Sequence, residues 1–141
     1  MNVIILGPIR EGGLKIPLIS FKVPAGFPSP AADHIEQDVS LDEMCNVRAP
    51  HVYMARLQGD SMQGAGLFCG NLIVIDRSVT PRDGQVVVAV LNAEPLCKRL
   101  HMRDGIVVLK SENSKYAPRY VMEGDDLIIW GAVTHCVATL E

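Results

Sequence analysis

From His51 onward the apolar positions fall in short runs divided by turn residues. His51 to Leu57 and Asn71 to Asp76 are rich in β-branched and aromatic side chains, the types that fit a pleated, half-buried surface. Gln85 to Leu91 is almost entirely apolar, which predicts a strand buried on both faces. Asn92-Ala93 separates it from Glu94 to Leu100 and reads as a hairpin turn. Gly105 to Lys110 predicts another strand, and Leu127 to Val137, which contains Trp130, predicts a long closing one. Turn chemistry falls at Pro81-Arg82-Asp83-Gly84, Arg103-Asp104-Gly105 and Glu123-Gly124-Asp125. Short strands at regular spacing predict a mostly β domain, a folded sheet or barrel, over residues 46–141.

The first 45 residues read differently. They carry Pro8, Pro17, Pro24, Pro28 and Pro30 with Gly7, Gly12, Gly13 and Gly26. Proline at this density disfavours helix and central strand alike. The segment predicts an extended N-terminal arm over 1–45. One short helix is expected around Ser29 to Gln37, with Ser29 as cap, Pro30 in the first turn and Asp33 near the positive end of the dipole.

Charge narrows the classes of partner. The net charge is −3 and the basic residues are scattered, with no basic block, so direct nucleic-acid binding through a cationic face is disfavoured. The apolar N-terminal run ends at Gly7-Pro8 and lacks a cationic flank, and no run is long enough to span a bilayer. These features predict a soluble cytoplasmic protein with no membrane association. Cys45, Cys69, Cys97 and Cys136 form no CxxC pair and have no histidine at zinc spacing, so reduced, mostly buried thiols are expected, with no metal and no cofactor; the even count leaves a disulfide framework as the competing reading.

Two features carry candidate chemistry. In Gln58-Gly59-Asp60-Ser61-Met62 a predicted strand ends and a glycine permits a sharp turn. A serine on such a turn can expose its hydroxyl beside free backbone N–H groups, which is what an oxyanion hole needs. Gly-Asp-Ser is also a common turn sequence. A serine nucleophile requires a base, and His34, His51, His101 and His135 show no recognisable triad spacing. In the strand Glu94 to Leu100, alternation places Lys98 on one face with Leu96 and Leu100, while Cys97 and Arg99 point the other way. A lysine on an apolar face is unusual. Desolvation there favours the uncharged amine, the form that a general base needs. The competing reading is a lysine whose stem lies along apolar surface while its amine reaches water.

Taken together, a serine on a Gly-x-Ser-Met turn and a lysine on a later hairpin strand, 37 residues apart, resemble the serine–lysine self-cleaving peptidases of the LexA and UmuD type. Ala25-Gly26-Phe27-Pro28-Ser29-Pro30 is similar to the cleavage-site region of the UmuD group, and Leu72 to Asp76 and Gly131 to His135 are similar to further stretches of it. The resemblance covers residues 14–140 and is poor over the first dozen residues. It implies the folded β-sheet or barrel of those C-terminal domains. It also implies Ser61 as nucleophile, Lys98 as base, the backbone N–H groups of Asp60 and Ser61 as oxyanion hole, and a scissile bond between Ala25 and Gly26. Position 25 departs from the best-known member, which has Cys there; both side chains are small. The implied biology is a homodimer of the SOS response, cleaved under stimulation by a RecA filament on single-stranded DNA. Its shortened form would serve a Y-family polymerase in error-prone synthesis across damage.

Three other readings compete. A non-catalytic dimerisation or binding module would leave the chain uncut. A signal-peptidase-like enzyme also uses serine and lysine, but the expected membrane anchor is missing from the sequence. A DNA-binding repressor would carry a helix-turn-helix segment, and no basic helix is evident.

Overall fold

The computed structural model describes residues 2–8, 16–19, 35–46 and 49–140. Seven strands build the main body after residue 51: β4 (Val52–Gln58), β5 (Leu72–Asp76), β6 (Val86–Leu91), β7 (Glu94–Arg103), β8 (Ile106–Lys110), β9 (Arg119–Tyr120) and β10 (Leu127–Val137). The expectation of a mostly β fold is met. Asn92 and Ala93 both adopt positive φ, 50° and 68°. That is the backbone of the two-residue hairpin turn whose twist matches the flanking strands.

The N-terminal forty-five residues hold more strand than expected. Asn2–Pro8 forms β1, Ile16–Ile19 forms β2 and Ile35–Val39 forms β3, followed by one helical turn, α1 (Leu41–Met44). β1 joins the main sheet, with Val3 opposite Leu57 of β4 and Asn2 opposite Leu96 of β7. Its apolar run precedes the glycine and proline, so Pro8 sits at the strand's end, where a missing N–H does little harm. The helix expected around Ser29 to Gln37 is not seen where the structure is described: Ile35 to Gln37 are extended and pair with β2. Its N-terminal part lies outside the described residues.

The main sheet runs β1-β4-β5-β10-β6-β7-β8-β9, and the additional β1–β7 pairing closes its first six strands into a ring. The long β7 serves both purposes. Its early residues meet β1 and β6, while Arg99 to Arg103 pair with β8. β10 shifts register twice, near Trp130 and near Thr134. Such bulges sharpen the local bend that ring closure requires.

Strand alternation divides the core in two. Val3, Ala55, Leu57, Met62, Leu67, Ile73, Ile75, Val88 and Cys97 form one cluster. Val87, Ala89, Leu91, Leu100 and Leu109 form the other, with Leu96 packed against it. β6 therefore contributes to both faces, as its unbroken apolar run predicts. Full burial of a side chain such as Leu57 or Ile75 stabilises the fold by roughly 1.5–3 kcal/mol. Of the four cysteines only Cys97 is buried, whereas Cys69 and Cys136 are exposed. The expectation of mostly buried thiols is thus corrected: Cys136 lies near the end of β10, beyond the region that packs on a core cluster.

Candidate active site

The turn that carries Ser61 begins where β4 ends. Gly59 takes φ +94°, a left-handed conformation that other residues adopt only with strain. The chain reverses there and presents Asp60 and Ser61. Met62 follows with its side chain fully buried in the first core cluster. A short 3-10 turn, Gln63–Ala65, then closes the loop, with Leu67 N–H donating to the Met62 carbonyl at 3.2 Å.

Ser61 is 1% exposed. Its Oγ is the one buried side-chain polar atom without a hydrogen-bond partner among the described residues. A buried hydroxyl left unpaired costs about 1–3 kcal/mol. Lys98 is 9% exposed, an unusual burial for lysine. Val87 stands opposite it on β6, and Leu96 and Leu100 flank it on its own face. Lys98 therefore lies on an apolar face, as strand alternation predicts. Its Nζ donates to Ser111 Oγ at 2.8 Å and lies 5.6 Å from the centroid of the Tyr116 ring.

The loop after β8 ties the two halves together. Gly64 N–H donates to the Glu112 carbonyl at 2.7 Å. Asn113 Nδ2 donates to the Asp60 carbonyl at 2.9 Å. Lys115 Nζ bonds Asp60 Oδ2 at 3.0 Å, and the Tyr116 hydroxyl donates to Asp60 Oδ1. Arg99, the neighbour of Lys98, pairs with the Glu112 carboxylate and reaches the Gly84 carbonyl at 2.7 Å. Residues 111–116 thus hold the serine turn on one side and the lysine strand on the other. Tyr116 spans both, with its ring beside Lys98 Nζ and its hydroxyl on Asp60.

The electrostatics follow this clasp. The Tyr116 hydroxyl, and after it the Lys115 ammonium, hold the Asp60 carboxyl below the usual carboxylate range. Asp60 in turn raises both partners, chiefly through the same two hydrogen bonds. Burial pushes the Cys97 thiol up to about 12, so Cys97 stays protonated beside Lys98 and is no competing nucleophile. The described histidines are engaged elsewhere: His51 with Asp76 at 3.5 Å, His101 with Asp83 at 3.8 Å, His135 with Thr134 at 3.0 Å. Ala25 and Gly26 lie outside the described residues, in the sequence between β2 and β3.

Residues 17–134 match the family model described as Peptidase S24-like. The chain belongs to the S24 peptidase family. Its relatives include Protein SamA of Salmonella typhimurium, 38% identical over 118 residues, which is 84% of this chain and 81% of that protein. Protein ImpA of Escherichia coli is 34% identical over 131 residues, 92% of this chain and 88% of its own length. The LexA repressor of Bordetella pertussis is 34% identical over 126 residues, 89% of this chain but 57% of the repressor. S24 members are serine peptidases that cut themselves, and SamA and ImpA are UmuD-like proteins of SOS mutagenesis, the group to which this chain is related. No helix among the described residues is long and apolar enough to cross a membrane.

Sequence reasoning did not find Ser111, Asn113, Lys115 or Tyr116. Asn113, Lys115 and Tyr116 act across more than fifty positions, and nothing local marks them. Ser111 was within reach. The Asp104-Gly105 turn fixes a register in which Arg99 faces Lys110, and one further step sets Ser111 against Lys98.

Proposed function

We propose that Ser61 and Lys98 carry out the self-cleavage, that the bond cut is Ala25–Gly26, and that the product serves damage-tolerant DNA synthesis. The supporting observation is the buried Ser61 Oγ, which has no hydrogen-bond partner among the described residues. Buried polar atoms are nearly always satisfied, and the exceptions call for a reason. A hydroxyl kept for a substrate carbonyl is such a reason.

The chemistry runs in two halves. The uncharged Lys98 amine takes the Ser61 hydroxyl proton as Oγ attacks the Ala25 carbonyl carbon. The carbonyl electron pair moves onto oxygen, where the backbone N–H groups of Asp60 and Ser61 receive the charge. Collapse breaks the C–N bond, and the Gly26 nitrogen leaves with the proton held by Lys98. Water, deprotonated by Lys98, then opens the Ser61 ester and frees residues 1–25 as a carboxylate.

The wider reading is a cytoplasmic homodimer whose cleavage is stimulated by a RecA filament on single-stranded DNA. Residues 26–141 then partner a Y-family polymerase. With a net charge of −3, the DNA acts through the filament rather than on this chain. The test follows the intact mass of the purified chain at alkaline pH, beside Ser61→Ala and Lys98→Ala. The wild type should yield fragments 1–25 and 26–141, and each variant should stay whole while remaining folded. Cleavage at the wild-type rate in either variant refutes the dyad, and a wild type that never shortens favours a binding module. RecA, nucleotide and single-stranded DNA together should accelerate the cut at neutral pH; DNA alone should not.

A further inference from the structure

We propose that Ser111 is a positioning residue that orients the Lys98 amine for catalysis; this rests on the serine–lysine reading above. Ser111 follows β8 directly, and the β7–β8 register carries it opposite Lys98. The contact is therefore built by strand pairing and not by a chance loop conformation. Lys98 Nζ donates to Ser111 Oγ at 2.8 Å. On the apolar side of Lys98, Val87, Leu96 and Leu100 offer no side-chain acceptor, and the Tyr116 ring faces the amine at 5.6 Å.

An uncharged amine has two N–H groups and one lone pair, and it rotates freely about its last C–N bond. A base that rotates freely presents its lone pair to the serine only part of the time. Engaging one N–H on Ser111 Oγ removes that free rotation and leaves the lone pair only the two remaining staggered directions. After proton transfer the same oxygen accepts from the ammonium, a charge-assisted bond stronger than its neutral counterpart. Ser111 is thus matched to both protonation states of Lys98. Its anchorage is shared with the nucleophile, because the next residue, Glu112, accepts from Gly64 N–H in the turn that follows Ser61.

The experiment measures alkaline self-cleavage of the full chain for Ser111→Ala, Ser111→Thr and Ser111→Val, with Ser61→Ala and Lys98→Ala alongside. Threonine keeps the hydroxyl; valine has the same shape without it. The expected result is cleavage slowed about 10- to 100-fold by alanine and by valine, the range for losing a hydrogen bond to a charged group. Threonine should restore the rate to within a few-fold of wild type. Thermal midpoints of the threonine and valine variants should agree. Wild-type cleavage in the valine variant overturns the proposal while leaving the dyad standing, provided that Ser61→Ala and Lys98→Ala are inert. Faster cleavage in the alanine variant also overturns it, since Ser111 would then be a brake on the base. Cleavage that persists in Ser61→Ala but is lost in Ser111→Ala would make Ser111 the nucleophile and overturn both readings.

Discussion

Gly64→Ala tests the clasp between the serine turn and the loop after β8. A Cβ on Gly64 would meet the Glu112 carbonyl oxygen at 2.6 Å, its carbonyl carbon at 3.3 Å and its Cβ at 3.4 Å. Ordinary contact between carbon atoms begins near about 3.5 Å. The obstacle is backbone, so it cannot swing aside as a long side chain would. The two segments must part by roughly half an ångström or more, and the parting stretches the 2.7 Å bond from Gly64 N–H to the same oxygen. Overpacking of this kind costs about 1–3 kcal/mol, and weakening that hydrogen bond adds up to about 1 kcal/mol. Stiffening the unfolded chain returns about 0.4–1 kcal/mol. The net loss is about 1–3 kcal/mol, and at about 2–4 °C per kcal/mol the melting temperature should fall by roughly 3–10 °C. The effect on cleavage should be larger. Displacement by a fraction of an ångström to one ångström separates Ser61 from a base held by the neighbouring Ser111, and misplacement of about 1 Å can cost about 100-fold. Calorimetry and a time course of intact mass at alkaline pH measure the two quantities on one sample. Wild-type melting would show that the loops are not in this contact. Lowered melting with wild-type cleavage would show that the clasp supports the fold and does not position the reacting groups.

Three further predictions concern stability and titration. Asp60 titrates lower in the folded chain than in the unfolded one, so its contribution is present above the ordinary carboxylate value near about 4 and is lost as pH falls through the folded value; melting followed from pH 6 downward should show less acid sensitivity for Asp60→Asn than for wild type, and equal curves would refute the assignment. Tyr116 and Lys115 titrate higher when folded, so their contribution is full below the ordinary value near about 10 and is lost only as pH rises through the raised folded values; spectroscopic titration should show Tyr116 ionising later in wild type than in Asp60→Asn. Ala93→Gly should raise stability by about 1 kcal/mol, because φ of 68° strains an alanine and suits glycine; a lower melting temperature would mean that the turn is not the one described.

Much of the fold was legible because its strands announce themselves by length and alternation. The run from Gln85 to Leu91 is buried on both faces, and the alternation around Lys98 set its face correctly. β1 is hidden by the proline and glycine density of the N-terminal segment taken as a whole. Within that segment the apolar residues from Val3 to Leu6 precede Gly7 and Pro8, and a strand needs no more than that short run. β9 is two residues long and has no periodicity to read. The candidate site divides in the same way. Ser61 and Lys98 each carry a local signal, a turn in one case and a misplaced charge in the other. The clasp residues carry none, because an asparagine, a lysine and a tyrosine in a loop are ordinary until the fold sets them beside Asp60.

The clasp also bears on why a lysine base and this fold suit one another. A lysine base acts through its uncharged form, so cleavage should quicken as the medium becomes more alkaline. Carboxylate–lysine contacts at a surface are generally weak and are lost when the lysine deprotonates. Here the carboxylate that orders the serine turn draws on Tyr116 as well as Lys115, and both partners hold their protons to higher pH than they would alone. The Asn113 and Gly64 bonds to the same two loops involve no titrating group. The serine turn should therefore keep its geometry as the medium becomes more alkaline. A cleavage rate that rises with pH would then report the base itself, and not a loosening of the loop that presents the nucleophile.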